Sequence, residues 1–153
     1  MKTRTKYFGE IEYTEDMLLT FEQGLYAFED EHSFLLLPFE GDGSLLCLQS
    51  LKTPELGFVV MDPFALDGSY APVLQPEELE ALQADTSEDL LYYTLCAVKT
   101  PVSRSTVNMR CPVAINPDRQ LAMQVILEDN SYEMRKPLSD FEKKPKEEGE
   151  PSC

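Results

Sequence analysis

Residues 106–128, TVNMRCPVAINPDRQLAMQVILE, set two apolar runs on either side of the polar segment Asn116-Pro117-Asp118-Arg119-Gln120. Val107, Met109 and Cys111 alternate with Thr106, Asn108 and Arg110, the period of two that marks a strand. Pro112 cannot donate to a ladder, so the strand is expected to bulge or end there before Val113, Ala114 and Ile115 resume it. Pro117 fixes φ, and the side chains of Asn116 and Asp118 can bond nearby backbone, which makes the polar segment a turn. Residues 122–127 then read as the returning strand. Met123, Val125 and Leu127 form its wholly apolar face and are expected to meet the core. Ala122, Gln124 and Ile126 face the other way.

The remainder of the chain reads as short strands around this hairpin. Residues 5–13, TKYFGEIEY, are expected to form a first strand, and residues 17–21 a second. Residues 22–28 make a loop with aromatic cargo, in which Gly24 is expected to supply a positive φ. Residues 34–39 form a buried strand, Glu40–Ser44 a turn, 45–51 the returning strand, and 57–61 another. Residues 62–70 read as a loop with exposed aromatics. Pro76 to Ala84 is the one clear helix: Pro76 suits its first position, Glu77 and Glu78 suit its positive end, and Leu79 and Leu82 seat it. Thr86–Asp89 can cap a further short turn, and Leu90–Val98 is a strand. Such short, regularly spaced strands predict an all-β sandwich or barrel.

At 153 residues the chain reads as one domain, residues 1–138, followed by a charged tail, 139–153, expected to be disordered. No apolar run is long enough to span a bilayer and the N-terminus MKTRTKYF lacks a signal-peptide core, so a cytoplasmic protein is expected. The net charge of −15 is unevenly placed: residues 1–98 hold 4 Lys/Arg against 19 Asp/Glu, whereas residues 99–153 hold 9 of each. Such a field repels nucleic acid and anionic membranes and attracts basic proteins; it also simply keeps a protein in solution. Cys47, Cys96, Cys111 and Cys153 lie far apart, which argues against zinc spacings and a disulfide framework. The first three read as small buried hydrophobes, and Cys153 as exposed.

Catalytic constellations are missing from the sequence. His32 is the single histidine, set between Glu31 and Ser33, and reads as a solvated loop residue. There is no G-x-S-x-G, P-loop or dinucleotide fingerprint, so no cofactor, metal or catalytic residue is assigned. Tyr92 and Tyr93 lack the basic groove of a nucleic-acid stacking surface and read as core and rim residues of a strand. A small-ligand barrel, or a hydrolase using paired carboxylates, is the alternative; it would need two close Asp or Glu in a concave pocket.

Several motifs occur in a specific order: Phe21-x-x-Gly24-Leu25-x-x-Phe28-Glu29, Gln49-Ser50, Val60-x-Asp62-Pro63-Phe64, the Pro112-Val113-x-Ile115-Asn116 run, and Gln124-Val125-Ile126-Leu127-Glu128-Asp129. Together they resemble the flagellar assembly factor FliW family. Glu22 stands where that family often has proline. The resemblance implies a closed or nearly closed antiparallel barrel-like fold with one short helix, and no catalytic activity. It also implies two partners: newly made flagellin, and the RNA-binding translational regulator CsrA, whose capture relieves repression of flagellin translation. Given that resemblance, an apolar-rimmed patch at Phe64, Leu66 and Tyr70 is expected to accept a flagellin helix. An acidic face at Asp62, Asp67, Glu77, Glu78, Glu128 and Asp129 is expected to meet the basic regulator. On the residues alone, Phe64 could equally plug the core and the carboxylates be an ordinary solvated face.

Overall fold

The structure is a computed structural model that describes residues 1–39, 45–101, 104–129 and 131–141. Seven strands close a barrel in the order β7 (Leu91–Ala97), β6 (Gly57–Met61), β5 (Leu45–Ser50), β4 (Ser33–Pro38), β3 (Leu18–Thr20), β10 (Leu121–Gln124), β9 (Val113–Asn116), and back to β7. β8 (Thr106–Val107) and β11 (Lys136–Pro137) extend the sheet from β7, and β1 (Lys2–Arg4) pairs with β2 (Glu10–Glu12) as a separate hairpin. Short helices α1 (Pro63–Leu66) and α2 (Pro76–Ala81), 3-10 turns at Glu15–Met17 and Ser87–Asp89, and a helical turn at residues 138–141 complete the regular elements of the described residues.

The barrel is antiparallel except at one seam, where β3 and β10 run parallel, with Thr20 beside Leu121. The cause is arithmetic: a closed ring of strands can alternate direction throughout only if their number is even, and this ring has seven. Thr20 N–H donates to Gln120 O at 2.9 Å to tie the seam.

The expected first strand at 5–13 is corrected. Thr5 N–H and Oγ1 both donate to Gly9 O, at 2.8 and 2.7 Å, so residues 5–9 turn the chain back. Gly9 adopts φ +69, which lets Glu10–Glu12 pair with Lys2–Arg4. The break in the 106–115 strand also starts earlier than Pro112. Asn108 Oδ1 accepts from Arg110 N–H and Cys111 N–H, at 3.2 and 2.9 Å, and this local turn replaces the ladder. The alternation survives in burial, because Val107, Met109 and Cys111 all point inward.

The returning strand, expected over 122–127, is Leu121–Gln124, with Met123 opposite Ala114; beyond it single bonds continue the pairing past the kink, Val125 N–H to Pro112 O at 3.0 Å and Leu127 N–H to Arg110 O at 2.8 Å. Both faces of this hairpin are buried, because the protein has two cores. One fills the barrel and contains Phe21, Phe34, Leu48, Val60, Ile115 and Ala122. The other lies between the barrel wall and the helices and holds Leu74, Leu82, Tyr92, Ala114, Val125 and Leu127. Met123, Val125 and Leu127 therefore meet the outer core, while Ala122 meets the inner one. Each large apolar side chain so buried contributes about 1.5–3 kcal/mol.

Gly24 adopts φ +70, and a Cβ there would stand 2.6 Å from the Glu29 backbone, so only glycine fits. Cys47 and Cys111 are buried and Cys96 is half-buried; all three are free thiols. The exposure expected of Cys153, the Glu40–Ser44 turn and the disorder expected of the tail from residue 142 on fall outside the described residues. Phe141 is described, and it is buried in the outer core.

Candidate functional site

The loop expected at 62–70 contains a helix. Asp62 Oδ1 accepts from Phe64 N–H at 2.9 Å, and Pro63 occupies the first helical position, the two features that start α1. This turn pushes Phe64 outward, where it is 43% exposed. Tyr70 corrects the expectation of a second exposed aromatic. It is only 4% exposed, because its hydroxyl donates to Met109 O at 2.7 Å and fixes the ring in the outer core. Phe64 packs edge-on against Tyr70 and Tyr92, at centroid distances of 5.6 and 6.1 Å. Leu66 packs half-buried against the same core. Phe64 is thus an exposed ring on a buried aromatic base.

α2 lies beside this patch. Gln75 N–H donates to Glu78 Oε1 at 2.7 Å, which closes the helix start, and Leu82 anchors its end in the outer core. Burial, together with the charges of Glu77 and Glu128, raises the Glu78 carboxyl above its ordinary value against the lowering effect of the Gln75 bond. The three carboxylates therefore share one field. Burial is the main cause that pushes the Tyr92 hydroxyl up to about 12, against its bond to Ser87 O, and Glu78 adds a smaller push.

The other expected acidic residues are placed differently. Asp67 Oδ1 accepts from both the N–H and the hydroxyl of Ser69, at 3.0 and 2.7 Å. Asp129 does the same with Ser131, at 2.9 and 2.6 Å, and these bonds, helped by Arg110, hold its carboxyl below the usual range. Asp62 is occupied with its helix cap and faces Tyr93, whose hydroxyl is raised by burial and by the Asp62 charge. Among the described residues no group of three or more His, Cys, Asp or Glu stands together as a metal site. His32 is exposed, and its Nδ1 lies 2.8 Å from Phe21 O.

The profile of the family described as "FliW protein" matches residues 2–138. The chain belongs to the FliW family. It is 39% identical over 135 residues to the flagellar assembly factor FliW of Geobacillus kaustophilus, covering 88% of this chain and 93% of that one. It is 35% identical over 138 residues to the flagellar assembly factor FliW of Bacillus licheniformis, covering 90% and 96%. A crystal structure of the flagellar assembly factor FliW superposes with a TM-score of 0.84 at 37% identity, covering 90% of this chain and 96% of that one.

Two features of this FliW barrel escaped the reading of the residues. Tyr26 stands at the tip of a tight turn in which Leu25 and Phe28 exchange backbone hydrogen bonds at 3.3 and 2.8 Å. Its N–H donates to Gln124 Oε1 at 3.2 Å, and the ring is 50% exposed. An aromatic residue in a polar loop beside a glycine was the available signal. The second is the set Glu31, Ser50 and Thr53, whose members are distant in sequence and meet beneath the 50–56 turn. No described helix is long and apolar enough to cross a membrane.

Proposed function

We propose that this protein is a non-catalytic flagellar assembly factor that binds flagellin and captures the CsrA-type regulator in the cytoplasm, releasing flagellin translation from repression. Phe64, exposed beside the Glu77–Glu78–Glu128 field on the outside of a filled barrel, is the observation that carries this reading. A half-exposed aromatic ring on a rigid base suits an amphipathic flagellin helix laid against it. A regulator that binds RNA is basic, and an acidic surface speeds its encounter by opposite potentials. Neither step needs a bound cofactor, a metal, nucleic acid or a membrane.

Calorimetric titration of the full chain with monomeric flagellin and, separately, with the purified regulator tests the proposal. Each is expected to bind at micromolar concentration or tighter. Phe64→Ala is expected to weaken the flagellin complex by about tenfold or more, the cost of truncating an aromatic anchor. Failure of the wild-type chain to bind either protein overturns the reading.

A further inference from the structure

A pocket of about 220 Å³ opens where the loop after α1 meets the segment that follows Asp129. Asp67 and Ser69 form one wall, and Ser131 and Glu133 the other. Met109 and Phe141, both buried, form its base. The pocket adjoins the Phe64 patch. The Phe64 ring meets Tyr70 at 5.6 Å, and Tyr70 meets Tyr132, which lines the pocket, at 4.8 Å.

We propose that Phe64 and this pocket are two anchor points for one flagellin helix: an apolar residue lies on Phe64, and an Arg or Lys about two turns along enters the pocket. The inference rests on the flagellin reading above and adds which side chains the site selects. The pocket is smaller than the roughly 300–1,000 Å³ of small-molecule sites, so a single side chain suits it better than a free ligand. Two ring contacts in succession lead from Phe64 to Tyr132, a path that a helix covers in about seven residues at about 1.5 Å each. Residues at that separation share one stripe of a helix, so a straight helix reaches both points. Spacing, rather than charge, therefore points to the partner that presents a helix.

Hydrogen bonding selects the side chain. The Ser69 hydroxyl donates to Asp67 Oδ1 at 2.7 Å, and the Ser131 hydroxyl to Asp129 Oδ1 at 2.6 Å. Both serines have spent their hydrogen and offer the pocket lone pairs. The ionised carboxylates of Asp67 and Glu133 also only accept. The donors that line the pocket are the Tyr132 hydroxyl, whose oxygen accepts from Ala71 N–H at 3.0 Å, and Lys136. Lys136 Nζ stands 3.8 Å from Glu133 Oε2 and 5.5 Å from the centre of the Phe141 ring. Two carboxylates thus face one ammonium. A guanidinium or ammonium head only donates, and the methylenes behind it can lie on Met109 and Phe141.

Interferometry on the immobilised full chain, with monomeric flagellin as analyte, tests the pocket. Glu133 is exposed, and Glu133→Arg sets a guanidinium where the one from flagellin would sit. It is expected to weaken flagellin about tenfold, whereas Lys136→Met, which removes the competing ammonium, is expected to tighten it about threefold. A loss of folding cannot tighten binding. Glu55→Arg, at the separate cleft of about 690 Å³ under the N-terminal hairpin, is expected to leave flagellin within twofold. Either pocket variant within twofold of wild type, or equal weakening by Glu55→Arg, overturns the pocket while Phe64→Ala still reports on the flagellin reading. Photo-cross-linking identifies the occupant. Benzoylphenylalanine is placed at position 64 in one protein and at position 68 in another, where Gly68 has nothing within 4 Å of an added Cβ. The two probes are expected to capture flagellin residues about seven apart in one helix. Capture from position 68 of the regulator alone, of residues 142–153 of this chain, or of a second copy overturns the proposal. A wild-type chain that does not hold flagellin overturns the flagellin reading and the pocket together.

Discussion

Glu31 lies in the acidic run Glu29-Asp30-Glu31, yet it alone of the three is buried, at 8% exposure. The Ser50 hydroxyl donates to its Oε1 and the Thr53 hydroxyl to its Oε2 at 2.7 Å. Ser50 Oγ in turn accepts from Lys52 N–H and Thr53 N–H, at 3.1 and 2.9 Å. Burial pushes the carboxyl up, but the two hydroxyl bonds, with Lys52 and His32 nearby, bring it to a net value below the ordinary one. A carboxylate lowered on folding stabilises the fold above its unfolded pKa, and that stabilisation disappears as pH falls through the folded pKa. Glu31→Gln keeps the shape and removes the charge. It is expected to cost about 1–3 kcal/mol at pH 7, the range for a charged hydrogen-bonding group. The gap between the two proteins should then close as urea midpoints are followed down through the acid range. A gap that stays constant below the ordinary glutamate range would show that the ionised carboxylate contributes nothing. The sequence hides this residue because the three acids are chemically alike and only the distant Ser50 and Thr53 single one out.

At the scale of elements, the 113–124 hairpin organises its neighbours through three amides. Asn116 Nδ2 donates to Leu82 O and Gln83 O, at 2.7 and 3.2 Å, and so satisfies the open carbonyl end of α2. Its Oδ1 accepts from Asp118 N–H and Arg119 N–H, which shapes the turn. Gln120 Nε2 donates to Glu15 O and Leu18 O, at 2.7 and 2.8 Å, and Gln124 holds the Tyr26 turn. The turn at 116–120, the helix at α2 and the strands flanking that turn were legible because each has a local cause in proline, asparagine or apolar spacing, whereas the alternation at 5–13 misled because Gly9 turns the chain back. The identity of what each amide holds was not, since Leu82 and Glu15 are far away in the chain. Asn116→Ala removes the α2 cap and the turn bonds together, leaving buried carbonyls without donors. It is expected to destabilise the protein by roughly 2–4 kcal/mol, more than one ordinary cap. Hydrogen exchange should report the loss first in residues 78–84. Uniform exchange, with no preference for that segment, would place the anchor of α2 elsewhere.

The whole molecule combines a filled barrel with an acidic exterior. The spacing of the strands left sandwich and barrel both open, and closure was implied by the family resemblance; the parallel seam had no signal in either. β3 and β10 are separated by about a hundred residues, and nothing local to either announces the direction of its neighbour. The same limit applies to the candidate surface. Glu77 and Glu78 are neighbours in sequence, whereas Glu128 joins them only because the long hairpin carries it to α2. Asp67 and Asp129 looked equivalent to these three in composition, yet each is absorbed by the serine two residues on. The charge that remains outward-facing predicts a kinetic signature. Association with the basic regulator should slow steeply as ionic strength rises, because the Debye length shortens to about 10 Å at 0.1 M salt. Glu77→Lys with Glu128→Lys, both exposed positions, is expected to reduce the association rate by about tenfold at low salt, with a smaller effect on dissociation. The two proteins should converge at high salt, where the field is screened. Glu10→Lys with Glu12→Lys, on the N-terminal hairpin, makes the same change in net charge and is expected to slow association less. Equal slowing by both pairs would mean that overall charge, rather than the face beside α2, steers the encounter.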